Sequence, residues 1–313
     1  LSLLSRFLAE ESFGLFVALR GFSLLLGTIA LAGLPQVLVR YVPSLRARGD
    51  RGRAMLLFSA STAVVVALGT TFLLTRGLWR PLLPASARAL IAGDAILFWT
   101  AAAAITLALK LLLYGAFAGL REMRMQLLFE PAFLFAFTLF IAVRRDTLDV
   151  PSLFRAIALL NGVVFLAGLC AYRALLGRWF AATAAPAPET VMPRFLPYWG
   201  GSVLLSFVAL AFTDVDRFVM STMLPVSAVS LFHVASRVQN VLKRFLGLPV
   251  VAASPEITRL YEEGRLREIG AKIRVFTHGS VVVALFIAAG AAIAGRHLIE
   301  LLSGEAYAGA YRV

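Results

Sequence analysis

The sequence has few of the residues that build metal sites, disulfides and soluble surfaces. It contains one cysteine, Cys170, and three histidines in 313 residues, and these match no disulfide framework and no zinc spacing. Charged residues make up 15% of the chain and hydrophobic residues 60%, whereas a soluble domain carries about 25% and about 45–50%. The sequence therefore predicts an all-α polytopic membrane protein, with no metal site and no cofactor.

Long apolar runs, separated by segments rich in charge, proline or glycine, predict eight membrane-spanning helices. Backbone groups in lipid must hydrogen-bond within their own segment, so an apolar run of about 20 residues predicts a helix. The predicted spans are Phe13–Val39, Ala54–Leu74, Ala95–Leu120, Leu127–Val143, Phe154–Leu176, Leu196–Phe212, Ala228–Ala253 and Val275–Leu298. The apolar segment Leu1–Leu8 is too short to cross a bilayer.

The basic excess of the chain is explained by membrane topology. The formal net charge is +13, and the loop Arg40–Arg53 alone holds five arginines and one acidic residue. Because basic residues concentrate in cytoplasmic loops, this loop and the loop Pro255–Arg274 are predicted to face the cytoplasm. We therefore expect a multi-pass protein of the cell membrane and no nucleic-acid partner.

Two segments about 215 residues apart share a pattern, as expected of transporters built from duplicated halves. Gly14-Leu15-Phe16 is followed by Gly33-Leu34-Pro35, and Ser230-Leu231-Phe232 is followed by Gly247-Leu248-Pro249. In each copy a charged loop comes next. The repeat predicts two pseudo-repeated helical bundles. Its register also predicts that the chain is an internal fragment, lacking the first helix and roughly the last three.

The repeat divides the chain into three parts. A first helical lobe is predicted over residues 1–180, with its first helix truncated, and a cytoplasmic linker over residues 181–195. The second lobe, over residues 196–313, is predicted to be incomplete at its C-terminus.

Two stretches resemble the polysaccharide biosynthesis proteins, the oligosaccharide flippases of the multidrug/oligosaccharidyl-lipid/polysaccharide exporter superfamily. The first joins the acidic pair Glu10-Glu11 and the aromatic-Gly-Leu-aromatic step Phe13–Phe16 to the segment Gly33–Tyr41. The second is Thr213–Arg217 followed by Ser230–Ala235, where members commonly show Gly-x-Tyr-x-x-Ala.

The resemblance implies a transporter, not an enzyme. Such proteins flip an isoprenoid-pyrophosphate-linked oligosaccharide across the cytoplasmic membrane by alternating access, for O-antigen, exopolysaccharide or capsule synthesis. Their two lobes form a V around a central cavity. The implied partners are the lipid-linked oligosaccharide and membrane lipids, together with the polysaccharide polymerase and glycosyltransferases of the same process.

A flippase must hold a sugar pyrophosphate within the bilayer, which requires cations and polar groups on helix faces that line a cavity. His233, Arg237 and Asn240 are spaced to share one helix face. Lys110 lies well inside its predicted span, one turn before Tyr114. A cation at that depth costs about 2.5–3.5 kcal/mol on insertion scales, so it must face protein or water. We expect Lys110 and Arg237 to line the cavity and bind the pyrophosphate.

Several further residues have two interpretations each. Arg20 either lines the cavity or extends to the outer interface. Asp214 and Asp216 either couple transport to an ion or pair with Arg217, itself a candidate substrate ligand, at a helix end. His233 is either a substrate ligand or a packed core residue.

Two glycine–proline pairs lie near predicted cytoplasmic helix ends. Gly33 with Pro35, and Gly247 with Pro249, are candidate hinges for the movement of the lobes. The alternative is that both pairs only end helices.

Two other functions compete with the flippase. A cation-coupled drug antiporter of the same superfamily should carry an acidic residue deep in the first lobe, but the acids there are all predicted to lie at span ends. They are Asp94, Glu122, Glu130, Asp146 and Asp149. A membrane-bound glycan ligase or polymerase should have a large outer loop with convergent Arg, His or carboxylate side chains. The longest outer connection, Thr75–Asp94, holds three arginines, one acid and no histidine.

Overall fold

The fold is known from a computed structural model, which describes most of the chain. The described residues are 4–47, 49–83, 88, 91, 93–180, 195–213, 232, 236, 260 and 265–303. Within them the chain forms α-helices and short 3₁₀ turns, without a strand. The α-helices are α1 (Leu4–Phe7), α2 (Glu10–Leu31), α3 (Leu34–Ala47), α4 (Arg51–Leu74), α5 (Asp94–Gly119), α6 (Met123–Val143), α7 (Val150–Phe180), α8 (Phe195–Thr213) and α9 (Leu266–Ser303).

Six of these helices are long and apolar enough to cross a membrane, namely α2, α4, α5, α6, α7 and α9. The protein is therefore an all-α polytopic membrane protein by length and composition, as predicted. The predicted spans that correspond to α4, α5, α6, α7 and α9 are confirmed as helices, and so is the helix predicted over residues 196–212. Of the span predicted over residues 228–253, the structure describes only residues 232 and 236, so this span stays a prediction.

The span predicted over Phe13–Val39 is confirmed only as far as Leu31, because the chain breaks after that residue. Helix α2 ends at Leu31, Ala32 and Gly33 have φ values of +45° and +70°, and α3 begins at Leu34. Two successive left-handed residues turn the chain, and Pro35 in the first turn of α3 suits a helix start. The loop predicted from Arg40 is consequently helical as far as Ala47.

Helix α5 is the centre of its unit and packs against α2, α3, α4, α6 and α7. Gly115 and Gly119, four residues apart, let α3 approach closely. A Cβ at Gly115 would lie 2.8 Å from the Cα of Pro35, and one at Gly119 would lie 2.7 Å from the Leu38 carbonyl oxygen. This small-xxx-small face is typical of tight helix pairs in membranes.

Helices α5 and α7 run parallel along their interface. Gly162 of α7 lies against Thr106 of α5, and Gly168 further along α7 lies against Leu113 further along α5. The C-terminal halves of α5 and α7 therefore lie at one end of the bundle, near the first turns of α4. At that end the ring of Tyr172 packs against other aromatic rings of the core.

The chain forms two compact units. One comprises Phe7–Val226 and holds α2 to α8, and the other comprises Leu1–Arg6 with Ser227–Val313 and holds α9. Helix α8 packs on α2 and α3 within the first unit. The predicted linker and the second copy of the repeat lie almost wholly outside the described residues, so the division into two pseudo-repeated lobes stays a prediction.

Candidate functional site

A lysine, a glutamate and a tyrosine form a charged cluster between the neighbouring helices α5 and α6. The Nζ of Lys110 lies 3.1 Å from Oε2 of Glu130, and the hydroxyl of Tyr114 donates to the same oxygen at 3.0 Å. The Lys110 side chain is 4% exposed and the Glu130 side chain is 43% exposed. The Lys110 ammonium is therefore enclosed by protein, whereas the Glu130 carboxylate is partly exposed.

The ion pair lies inside two candidate spans. At 1.5 Å of rise per residue, Lys110 is about 14 Å from the end of α5 and Glu130 about 11 Å from the start of α6. These two helix ends are joined by a short turn. Both residues therefore lie well inside helices that are long and apolar enough to cross a hydrocarbon core of about 30 Å.

Aromatic rings complete the surroundings of the Lys110 ammonium. Its Nζ lies 4.3 Å from the ring centroid of Phe133 and 5.7 Å from that of Tyr114. A cation within about 6 Å of an aromatic ring is attracted by the ring quadrupole. Phe133 follows Glu130 by three residues and Tyr114 follows Lys110 by four, so helical periodicity brings all four side chains together.

Arg20 adds a second cation to this region. It is the eleventh of the 22 residues of α2 and is half-buried, and its charge lies within electrostatic range of Lys110. Because α2 runs over Glu10–Leu31, Arg20 lies at mid-helix, and its two interpretations stay predictions.

Glu130 is the site residue that the sequence analysis missed. It was predicted to lie at a span end because α6 was predicted to start at Leu127, whereas the helix begins at Met123. That prediction is wrong, and with it the conclusion that the first lobe lacks an acid inside a span. The sequence spacing indicates this pair. Lys110 lies nine residues before the end of α5, Glu130 lies seven residues after the start of α6, and a short turn joins the two helices.

The glycine–proline pair between α2 and α3 is tightly packed. A Cβ on Gly33 would lie 2.6 Å from the backbone carbonyl carbon of Ser202 in α8. The indole Nε1 of Trp199, also in α8, donates to the carbonyl oxygen of Ala32 at 2.7 Å. The pair ends one helix and begins the next, and its role as a hinge stays a prediction.

The remaining predicted site residues cannot be placed beside this cluster. They lie outside the described residues and comprise Arg217, Asp214, Asp216, His233, Arg237, Asn240, Gly247 and Pro249. In the part of the chain that the structure describes, no group of three or more His, Cys, Asp or Glu side chains could hold a metal ion.

These features define a class: a multi-pass α-helical membrane protein with an ion pair inside its candidate spans. No family model, no curated protein and no solved structure matches the chain.

Proposed function

We propose that the protein is a transporter that flips an isoprenoid-pyrophosphate-linked oligosaccharide across the cell membrane by alternating access. The observation that carries this proposal is the Lys110–Glu130 pair inside two candidate spans, with Arg20 nearby. Ionisable side chains within membrane spans are costly and commonly mark substrate or ion pathways. The family resemblance of the sequence supports the same proposal.

The cluster contains cations that suit an anionic substrate. In the proposal, the pyrophosphate binds the Lys110 ammonium, which Glu130 holds in the empty protein, and the Arg20 guanidinium. Guanidinium and ammonium groups both form charge-assisted hydrogen bonds to phosphate oxygens. In the proposal, Arg217, Arg237, Asn240 and His233 contribute from the second lobe across a central cavity.

Glu130 has a defined role in this mechanism, as the counter-ion of Lys110 in the empty transporter. A buried ammonium that loses its partner strongly destabilises the folded protein. When the pyrophosphate binds Lys110, the Glu130 carboxylate is released on its exposed side. When the substrate leaves, Glu130 pairs with Lys110 again, and the empty transporter can return without an unpaired buried charge.

The position of Glu130 also favours a second candidate, a cation-coupled antiporter. A carboxylate inside a span and 43% exposed is a suitable site for a proton or a sodium ion. In this candidate, the Glu130 carboxylate separates from Lys110 and binds the coupling ion.

Equilibrium binding to the full-length protein separates the two candidates. The flippase proposal predicts that Lys110→Met weakens binding of an isoprenoid-pyrophosphate sugar by about ten- to hundredfold, the effect of one hydrogen bond to a charged group. It predicts that Glu130→Gln strengthens the same binding, because a competing anion is removed. Arg144→Gln, an exposed arginine at the far end of α6, is the matched control.

The opposite pattern contradicts the flippase. The antiporter predicts no binding of the pyrophosphate lipid, and loss of cation-coupled efflux of a cationic drug in Glu130→Gln. If Glu130→Gln weakens pyrophosphate binding as much as Lys110→Met does, the counter-ion mechanism is wrong.

A further inference from the structure

A second polar site lies between α4 and α7, at the end of the bundle where α4 begins and α7 ends. It is a cleft of about 190 Å³, with apolar walls that include Met55, Phe58 and Leu169. Tyr172 and Arg173, neighbours in sequence on α7, also line it. No residue of the Lys110–Glu130 cluster lines this cleft, so it is a separate site.

Tyr172, one of the residues that line the cleft, has a buried hydroxyl. Tyr172 is 1% exposed, and its hydroxyl has no hydrogen-bond partner among the described residues. The Tyr172 ring is fixed by Phe58, with ring centroids 4.6 Å apart. A buried polar group without a partner is unfavourable, so an acceptor oxygen that enters the cleft would remove this penalty.

Two arginines lie near the end of the bundle where α4 begins and α7 ends. Arg173 lines it and is exposed. Arg51, the first residue of α4, extends to α7, where its Nη2 lies 4.0 Å from the position of a Cβ on Gly177. The cleft therefore combines an apolar wall, a buried donor and basic side chains at a helix end.

The size of the cleft indicates a ligand that is only partly enclosed. A volume of about 190 Å³ is below the about 300–1,000 Å³ of pockets that enclose a small molecule. A membrane lipid meets this condition, because most of its length stays in the bilayer. Basic pockets between transmembrane helices bind acidic phospholipid headgroups.

We propose that this cleft binds an anionic phospholipid of the membrane. One acyl chain lies along Met55, Phe58 and Leu169, and the phosphate lies between Arg173 and Arg51. An ester or phosphate oxygen accepts the hydrogen bond of Tyr172.

Native mass spectrometry of the purified protein in detergent tests this site. The protein is titrated with phosphatidylglycerol and, separately, with the zwitterionic phosphatidylethanolamine. We expect tighter binding of phosphatidylglycerol, and a loss of roughly fivefold in Arg173→Gln, the effect of one basic residue at a membrane surface. Arg51→Gln should show a similar loss, and Tyr172→Phe should also weaken binding.

Arg144→Gln, which removes the same charge at the opposite end of the bundle, should bind phosphatidylglycerol as the wild type does. Equal binding of the two lipids by the wild type overturns the proposal. Equal losses in Arg173→Gln and Arg144→Gln also overturn it, because the attraction would then depend on net charge alone. Because Arg173 is exposed, Arg173→Gln tests the site without a change in the core.

Discussion

The Lys110–Glu130 pair should show a large energetic coupling in a double-mutant cycle. The perturbations are Lys110→Met, Glu130→Gln and the two together. At 3.1 Å and an effective dielectric constant of about 20, the Coulomb attraction is about 5 kcal/mol before desolvation. Desolvation of Lys110 offsets several kcal/mol of this, and the 43% exposure of Glu130 screens more. We therefore expect a coupling energy of about 2 kcal/mol.

The two single variants should differ in cost. Glu130→Gln removes the carboxylate that pairs with the Lys110 ammonium, whose side chain is 4% exposed. We therefore expect a loss of about 2–3 kcal/mol in the free energy of unfolding. Lys110→Met leaves a carboxylate that reaches the surface, so its cost should be about 1 kcal/mol. The double variant should be more stable than Glu130→Gln alone.

The assay is reversible unfolding in mixed micelles, followed by circular dichroism with increasing sodium dodecyl sulfate. A coupling energy below about 0.5 kcal/mol, the usual error of additivity between independent sites, would refute the reasoning. So would a greater loss for Lys110→Met than for Glu130→Gln, because the ammonium would then not be the more buried partner.

Three further predictions concern other parts of the molecule. Gly33→Ala should destabilise the protein by about 3 kcal/mol or more in the same unfolding assay, from left-handed strain and the clash with the backbone of α8, whereas Ala32→Gly should stabilise it by up to about 1 kcal/mol. Tyr172→Phe should stabilise the lipid-free protein by about 1 kcal/mol, because an unpaired buried hydroxyl is removed. Neutralising Lys110 and Arg237 together should abolish export of surface glycan from cells, with membrane insertion unchanged on immunoblots of membrane fractions.

Each of these predictions has a contrary result. Equal stabilities of Gly33→Ala and the wild type would mean that the turn between α2 and α3 can relax. A lower stability of Tyr172→Phe would mean that the hydroxyl is already bonded. Normal surface glycan in the doubly neutralised protein would remove both residues from the transport mechanism.

The sequence was sufficient to predict most of the helices. An apolar run of about 20 residues has few alternatives in a membrane, and α4, α5 and α7 begin and end within a few residues of the predicted bounds. The break at Ala32 and Gly33 was not predicted because hydropathy carries no information about backbone dihedral angles. An apolar sequence reads as continuous there even though the chain turns.

The candidate site was predicted only in part. The sequence predicts that Lys110, inside an apolar run, must face protein or water, and the structure encloses it in protein beside Glu130. The partner was missed because its depth depends on where α6 begins, and helix ends are the least certain feature of a hydropathy pattern. A difference of four residues moved Glu130 from the edge of a span to its interior.

Leaflet transfer in proteoliposomes tests the central claim most directly. The full-length protein is reconstituted with a fluorescent isoprenoid-pyrophosphate sugar, and the fraction of probe accessible to an external quencher is followed over time. We predict transfer by the wild type and by Arg144→Gln, and a rate about ten- to hundredfold lower in Lys110→Met, from the loss of one charged contact to the pyrophosphate. Equal rates in Lys110→Met and the wild type would contradict the account.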